Sequence, residues 1–495
     1  MAATIDTQKE ILFGSSDPNI SRLLSQKEKN GELKKLAPRI YTTNLKDSPE
    51  NIVRRNLIDI LTYRYPEAII SHRSAKEMRP TATGDFFLTN STSRRVTDLP
   101  GIKLNFVKGP KAITSDIPFM GMHISGEYRY MLENMQVARK SGDESRVLPR
   151  KVIEGKLEQL LLIGGEDRLN QYRDELRKVS EELGMQAEFD KLNNLISALL
   201  STHEASVLTT DSAKALATGN PFDPARVELF EILFDAIKDH YFIIRNNRNV
   251  DEDSFRLFSF FESYFSNYIE GTEFDIAEAK AIVDSGIPLP RRDEDSHDIL
   301  GTFKILSNRA EMMRTPTSMD ELFAILSHRH SVLLEGRPHL SPGIFKTKNN
   351  RAGQTEFVDH KLVKGTLSQG FKYYSALTDP FARAIFMMFM ISEVHPFNDG
   401  NGRVARIMMN AELVKAEQSR IIVPTVFRED YLLSLRKLTR HKDPSAYINV
   451  MTKLHQFSDN LYGTDFSELK DYLATCNAYE EPSQAKLQII DRTIN

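Results

Sequence analysis

The sequence of 495 residues contains one cysteine, no tryptophan and no apolar run long enough to span a bilayer. A single thiol, Cys476, cannot form an internal disulfide, which is consistent with a reducing compartment and excludes a metal site built from several cysteines. The first residues lack a basic stretch followed by an apolar one, so no secretion signal is predicted. These absences together predict a cytoplasmic protein without membrane contact.

The composition also lacks a dominant charge. Apolar residues make up 40% and charged residues 27% of the chain, which is typical of a globular protein rather than a disordered or membrane one. The formal net charge of -3 gives no global field that would attract a polyanion. A chain of this length is expected to form several domains, so the search for function turns to local motifs.

The N-terminal part predicts a small α+β domain. A helical pattern near Ile20 is followed by a short strand around Ile40, and two further strands are predicted at 84–90 and 102–107. Segments 31–44 and 71–75 resemble the winged-helix region of abortive-infection antitoxins. If this domain binds DNA, its basic residues would contact phosphates, although a solvated helix face explains them equally well. These residues are Lys34, Lys35, Arg39, Arg54 and Arg55.

The middle of the chain predicts a helical connector. From about 118 to 200 the sequence is charge-rich, with Leu and Ile at three-to-four spacing. The stretch 201–224 is polar and rich in small residues, so it is the best candidate for a linker or exposed loop. Beyond it nearly every pattern is helical.

The strongest chemical signal is the segment HPFNDGNGRVAR at 395–406. Asp379 and Pro380 predict the start of a helix that is apolar almost all round, and such a helix must be buried. Its end therefore holds His395 at a fixed point on a rigid core. After a short Gly/Asn loop, a second helix is predicted from the apolar spacing that begins at Val404.

This arrangement predicts a phosphate site at the start of the second helix. Gly400 and Gly402 allow close approach of backbone N–H groups, which the helix dipole makes favourable for an anion. Asn401 would add a side-chain amide, and Asp399 supplies a hard oxygen ligand suited to Mg²⁺. Because an ordinary histidine has a pKa near neutrality, His395 is expected to be able to transfer a proton. Two arginines three residues apart would neutralise phosphate charge; they are Arg403 and Arg406.

The same segment is similar to the signature of the Fic family, His-x-Phe-x-Asp-Gly-Asn-Gly-Arg-x-x-Arg, at every fixed position. The resemblance implies a mainly helical Fic (Fido) domain that binds ATP and Mg²⁺ and transfers AMP to a Ser, Thr or Tyr hydroxyl of a protein, releasing pyrophosphate. It implies that His395 is the general base and Asp399 the metal ligand. It also implies a set of nucleotide-binding residues, namely Asn398, Gly400, Asn401, Gly402, Arg403, Arg406 and Tyr431.

A second segment resembles the family's inhibitory motif in its N-terminal placement. It contains Ser266 and, one helical turn later, Glu270 followed by Gly271. The resemblance implies that Glu270 pairs with Arg406 and so inhibits the enzyme. A carboxylate there would occupy the arginine that should hold a phosphate and would repel that phosphate.

Two features are similar to the family in a looser way. The stretch 343–365 resembles the flap hairpin on which Fic proteins lay their target as an added strand, although an ordinary surface hairpin has the same pattern. Tyr431 occupies the place where relatives often pack the adenine, but the nearby Asn that they commonly use is not evident.

The expected fold is mainly α, with an all-helical Fic core and a small β-hairpin flap, preceded by a small α+β domain and a helical connector. The expected segments are a winged-helix-like domain at 1–115, a connector and linker at 116–225, a helical segment with the inhibitory helix at 226–315, the Fic domain at 316–455 and a tail at 456–495.

Two alternatives remain open at this level. Glu270 could instead position a water for removal of AMP from a modified protein, at the same site. The chain could also be a DNA-binding regulator that uses residues 1–110, with the Fic domain as a sensor. Self-modification and a homodimer are both compatible with the sequence.

Overall fold

The structure is a computed structural model that describes residues 9–92, 95–140, 142–201, 205–353 and 355–492. Parts of four predicted segments therefore lie outside the described residues: 1–8, 93 and 94 of the first domain, 141 and 202–204 of the connector and linker, Gln354 of the flap and 493–495 of the tail. The chain divides into two compact units, Met1–Thr218 and Gly219–Asn495. The predicted domain boundaries inside these units stay predictions.

The first unit begins with an α+β region, as the sequence predicts, and ends in helices. Its elements are β1 (Ile11–Phe13), α1 (Pro18–Lys29), β2 (Lys34–Ala37), β3 (Ile40–Thr42), α2 (Pro49–Arg55), α3 (Leu57–Arg64), β4 (Ile69–Ile70), α4 (His72–Glu77), β5 (Asp85–Asn90), β6 (Arg95–Leu99), β7 (Ile102–Lys108), β8 (Ile117–Phe119), β9 (Met122–Ile124), α5 (Glu127–Glu133), α6 (Arg150–Leu183), α7 (Gln186–Leu199) and α8 (Asp211–Ala217).

Two sheets organise this region. One has the order β1-β3-β2, and the other has the order β6-β7-β5-β4-β9-β8. In the larger sheet β5 pairs with β7 and β4 with β9 in parallel, while the other pairs are antiparallel. Strands β8 and β9 differ from the helical expectation for 118–200. Met122 and Ile124 of β9 are buried in the core of this region. Both strands are too short to show the alternating pattern of a strand in the sequence, so their structure is determined by pairing with distant strands.

The basic residues of the first domain are partly engaged within the protein. Arg55 pairs with Glu10 and with Asp47 at 2.6 Å, and Arg39 donates to the Ser15 carbonyl at 2.6 Å. Lys34, Lys35 and Arg54 are exposed. DNA binding by this domain therefore stays a prediction that rests on fewer free cations than the sequence offers.

The second unit is almost entirely helical, as expected for residues beyond 224. Its elements are α9 (Pro224–Ile237), α10 (Glu252–Ile269), α11 (Ile276–Ser285), α12 (Asp293–Leu306), α13 (Arg309–Met312), α14 (Met319–Leu333), β10 (Arg351–Ala352), β11 (Thr355–Glu356), α15 (Val363–Ala376), α16 (Pro380–Val394), α17 (Asn401–Lys415), α18 (Arg428–His441), α19 (Ser445–Ser458) and α20 (Phe466–Thr475).

Helix α16 is the centre of this unit. Its residues from Phe381 to Ile391 are buried except Arg383, which confirms the prediction from its all-round apolar sequence. The C-terminal residues also join the core, because Phe466 stacks on Phe261 of α10 and Tyr479 stacks on Phe265. The C-terminal residues thus cover one face of the helix that carries Ser266. No helix in the described part of the chain combines the length and apolarity needed to cross a bilayer.

Candidate active site

The motif loop lies between two helices whose ends are fixed by their sequence. Asp379 caps α16 by accepting from the Ala382 N–H at 2.8 Å, with Pro380 in the first turn. At the other end His395 terminates α16 with a φ of 52°, and Gly400 precedes α17 with a φ of 72°. The structure confirms the predicted helix, loop and helix around His395.

The loop is held together from within. The side chain of Asn401 accepts from Phe397 N at 2.8 Å and donates to Phe397 O at 2.9 Å, and the Phe397 ring is fully buried. The amide expected to face a phosphate is therefore bound to the loop itself. These two bonds hold the backbone at the start of α17 in place.

His330 on α14 supports this loop and was missed by the sequence analysis. Its Nδ1 accepts from the Gly343 N–H at 2.8 Å, so its Nε2–H donates to the Asp399 carbonyl at 3.0 Å. Its ring stacks on Phe397 with centroids 3.8 Å apart. Burial lowers the pKa of His330 to about 4, which keeps this hydrogen-bond pattern fixed. A single histidine on a helix carries no sequence signal for such a role.

His395 is poised as a proton acceptor. Its Nδ1 lies 3.2 Å from the Ser392 carbonyl and must donate to it, which leaves the unprotonated Nε2 free. Its ring stacks on Phe357 with centroids 3.6 Å apart. Burial is the main cause that lowers the pKa of His395 to about 4, and the cation of Lys346 adds to it. The imidazole is therefore neutral at pH 7.

The base of the flap also holds the motif loop. Lys346 donates from its backbone N–H to Pro396 O at 2.8 Å and from Nζ to Asn350 Oδ1 at 2.7 Å. Asn350 in turn donates to Phe397 O at 2.9 Å. Since Lys346 is buried, burial lowers its pKa to about 8. Neither Lys346 nor Asn350 was predicted as a site residue.

The flap forms the short hairpin that the sequence predicts. Strands β10 and β11 pair antiparallel, with Arg351 opposite Glu356 and Ala352 opposite Thr355. Arg226 of α9 donates from Nη2 to the Glu356 carbonyl at 2.6 Å and so ties the hairpin to the helical core.

The structure brings Ser266, Glu270 and Arg406 together. Arg406 donates from Nη2 to Glu270 Oε1 at 2.7 Å and to Ser266 O at 2.9 Å, and from Nε to Ser266 Oγ at 3.0 Å. Burial alone would raise the pKa of the Glu270 carboxyl, but Arg406 and then Arg403 outweigh it and hold the pKa below its usual range.

Glu270 rests on the first turn of α17. A Cβ built on Gly402 would lie 2.2 Å from Glu270 Oε1, so only glycine leaves room for the carboxylate. Gly271, with a φ of 93°, lets the chain turn away directly after it. The carboxylate therefore lies against the helix start at which the sequence predicts the anion.

The two motif arginines have different surroundings. Arg403 is buried, donates from Nη1 to Asp298 Oδ2 at 2.7 Å and to Asn267 Oδ1 at 3.3 Å, and lies 3.7 Å from Asp399. Asp298 is held in turn by Arg337 at 2.8 Å. Arg403 thus faces α12, whereas Arg406 lines the cavity beside His395.

His395, Glu270 and Arg406 share one cavity of about 820 Å³, a volume that suits a nucleotide. Tyr431 lies at its wall near Arg406, and burial raises the pKa of the Tyr431 hydroxyl. The residues lining it are Arg226, Glu270, Ala352, Gly353, Thr355, Glu356, Phe357, Ser392, Glu393, His395, Gly402, Arg406, Tyr431, Leu432, Leu435, Arg436, Thr439 and Arg440.

Asp399 is the metal ligand implied by the motif. Its side chain is 48% exposed, so its carboxylate is free to meet an incoming ion. Among the described residues no group of three or more His, Cys, Asp and Glu could hold a metal. A lone carboxylate fits Mg²⁺ that keeps waters and shares substrate phosphates, rather than a cage made by protein alone. Asn398 is exposed and donates weakly to Leu340 O at 3.4 Å.

Residues 320–413 match the model of the Fic/DOC family. A Fido domain-containing protein from Dictyostelium discoideum is 30% identical over 107 residues, which cover 21% of this chain and 75% of that protein. Protein adenylyltransferase fic-1 from Caenorhabditis elegans is 25% identical over 229 residues, which cover 42% of this chain and 44% of the relative. This chain thus spans less than half of the nematode enzyme's length.

Among solved structures, Fic-1 from C. elegans is similar with a TM-score of 0.35 and 16% identity, covering 66% of this chain and 93% of that one. The complete motif, the helix, loop and helix that carry it and the Dictyostelium relative agree with the family match. The chain belongs to the Fic/DOC family.

Proposed function

We propose that this protein transfers AMP from ATP to a hydroxyl of a target protein, and that Glu270 inhibits the reaction from within the same chain. One observation carries the proposal: the free Nε2 of His395, the start of α17 and the Glu270–Arg406 pair line a single cavity. The curated relatives named protein adenylyltransferases support the reaction class.

In this proposal His395 starts the chemistry. Its Nε2 accepts the proton of the target hydroxyl, and the oxygen attacks the α-phosphorus of ATP. A new P–O bond forms to the target while the bond to pyrophosphate breaks, and the leaving group carries away the electron pair. The imidazole needs no prior deprotonation because it is already neutral at pH 7.

In this proposal the start of α17 binds the phosphates. The backbone N–H groups around Gly402 point at the anion, and Arg406 supplies the guanidinium fork. Asp399 would hold Mg²⁺, which when bound offsets negative charge on the phosphate oxygens. Arg403 supports the site through its charge and its contact with Asp399.

Glu270 acts as the inhibitor because it occupies this phosphate position. Its carboxylate touches Gly402 and takes the Arg406 guanidinium, and both are needed by a nucleotide phosphate. Its negative charge also repels that phosphate. The nucleotide therefore binds in a competent pose only after Glu270 leaves Arg406.

The target, the flap at 343–365 as its docking site, a homodimer, self-modification and a cytoplasmic location stay predictions. They depend on the transfer reaction, which one experiment tests directly. Wild type, Glu270→Gly and His395→Ala are incubated with α-labelled ATP, Mg²⁺ and cell lysate, and labelled protein is detected.

We expect strong labelling only with Glu270→Gly. Glu273→Gly is the matched control, because this exposed glutamate lies three residues away and should leave labelling at the wild-type level. Absence of labelling in all variants, with ATP binding confirmed, would contradict AMP transfer. Release of AMP from pre-labelled protein by wild type, lost in Glu270→Gly, would instead favour AMP removal.

A further inference from the structure

We propose that Glu393, held in place by Arg226 and Thr439, selects the nucleobase by accepting a hydrogen bond from its exocyclic amino group. The inference rests on the proposed function, since it takes the phosphates of the nucleotide to lie at Gly402 and Arg406. Adenine, which carries a 6-amino donor, is the base that fits this cavity.

Helix α18 runs along the cavity and indicates which end would hold the phosphates and which end the base. Tyr431 lies near its start and lines the cavity together with Arg406, so we take this end of the cavity to hold the phosphates, and Tyr431 does not pack the adenine as the resemblance implied. Residues at helical spacing then continue the wall as far as Thr439. With a rise of about 1.5 Å per residue, Thr439 lies about 12 Å further along the helix axis than Tyr431. A nucleotide with its phosphates at Arg406 therefore places its base near Thr439.

The polar groups at this far end include the Glu393 carboxylate, together with Arg436 and Arg440. Glu393 lies on the last turn of α16, and its side chain is only 7% exposed yet lines the cavity. Its Oε2 accepts from Arg226 Nη1 at 2.7 Å, and its Oε1 accepts from the Thr439 hydroxyl. Burial raises the pKa of Glu393, but the nearby Arg226 opposes this and favours the carboxylate. Each oxygen keeps a lone pair for a further donor.

Arg226 orients the carboxylate. Its Nη1 donates to Glu393 Oε2 at 2.7 Å and its Nη2 donates to the Glu356 carbonyl at 2.6 Å, so the arginine is fixed at both ends of its guanidinium. The remaining lone pairs of Glu393 can accept from the amino group of adenine. Leu432 and Leu435 provide apolar surface for the base.

Equilibrium binding tests the assignment without requiring transfer. The full chain with Glu270→Gly is titrated with ATP and with purine riboside triphosphate, which is ATP without its 6-amino group. We expect ATP to bind about tenfold more tightly, the factor for one hydrogen bond to a charged acceptor. Adding Glu393→Gln should reduce this ratio to about threefold or less, since the amide is a weaker acceptor.

Glu412→Gln is the matched control. Its carboxylate is similarly buried, accepting from Arg383 at 3.0 Å and Tyr374 at 2.6 Å, but it does not line the cavity. The ratio of the two nucleotide affinities should therefore stay at the value of the Glu270→Gly protein. If Glu393→Gln does not fold, Thr439→Val takes its place, and loss of this anchor should also lower the ratio.

The outcomes separate the two proposals. Equal affinity of the parent for both nucleotides overturns the role of Glu393, whatever the variants do, while labelling of protein by ATP would leave the transfer reaction standing. An unchanged ratio in a folded Glu393→Gln variant overturns the role too. Failure of the parent to bind any nucleotide would overturn both proposals.

Discussion

Glu270 Oε1 lies 2.7 Å from Arg406 Nη2, although the two residues are 136 positions apart in the chain. The position of Glu270 is fixed because α10 is also bound to the protein core about two turns earlier in the helix. Glu262 on the same helix pairs with Arg420 at 3.0 Å and accepts from Asn410 at 2.7 Å. Release of Glu270 therefore needs movement at the end of α10 rather than displacement of the whole helix.

The close contact of the Glu270 carboxylate with Gly402 predicts that substitutions at these two positions have coupled effects on the free energy of unfolding. Gly402→Ala should destabilise the wild type by about 1–3 kcal/mol, because the new Cβ overlaps the carboxylate. In the Glu270→Gly background the same change should be neutral or slightly stabilising, since alanine favours the helix. Urea denaturation of all four proteins measures the coupling, and equal effects of Gly402→Ala in both backgrounds would refute it.

The environment of His395 predicts the pH dependence of transfer. With a pKa of about 4, the imidazole is almost fully neutral at pH 6, whereas an ordinary histidine with a pKa near 6.5 would be only about one quarter neutral. The single-turnover rate of Glu270→Gly should therefore be nearly flat from pH 8 to pH 6 and fall only as pH approaches 4. A rate that halves near pH 6.5 would show that the base is solvated.

His330 should matter as a support of the motif loop. His330→Ala removes its bonds to Gly343 and Asp399 and its stacking on Phe397, which should cost about 1–3 kcal/mol of unfolding free energy. Transfer by the Glu270→Gly background should fall about tenfold or more because the loop loosens. His328→Ala, at a half-exposed neighbour, is the control. Full activity of His330→Ala would remove this role.

Asp298 should prove essential for stability. It lies between the buried Arg403 and Arg337, so Asp298→Asn leaves two guanidiniums with too little counter-charge. We expect a loss of about 3–5 kcal/mol in unfolding free energy. Asp295→Asn serves as comparison, because its side chain is 35% exposed and should contribute less than about 1 kcal/mol. Similar effects of both changes would argue against a buried network.

The sequence predicts the local elements of the site well, because their signals are short-range. Asp379 and Pro380 mark the start of α16, and the apolar run of that helix fixes its burial. The Gly/Asn loop predicts the start of α17 in the same way. The short strands β8 and β9 carry no comparable period, and they form because the large sheet offers them partners.

Other residues could not be assigned from the sequence because their roles come from distant partners. His330 and Lys346 have no motif, yet they hold the carbonyls of Asp399 and Pro396. The amide of Asn401 is part of the motif, but only the folded loop shows that it bonds to Phe397. Hydrogen bonds across such separations leave no periodic pattern.

The sequence by itself determined the chemistry that the protein can perform: a histidine, an acidic ligand, a glycine loop and two arginines at fixed offsets on one helix, loop and helix. The tertiary structure decided how these groups are used. It placed Glu270 on Gly402 and Arg406, turned Arg403 towards Asp298 and brought Glu393 to the far end of the cavity. The reason is physical: local spacing fixes which groups share a turn, whereas packing of separate helices fixes which charges meet and which remain free for a ligand.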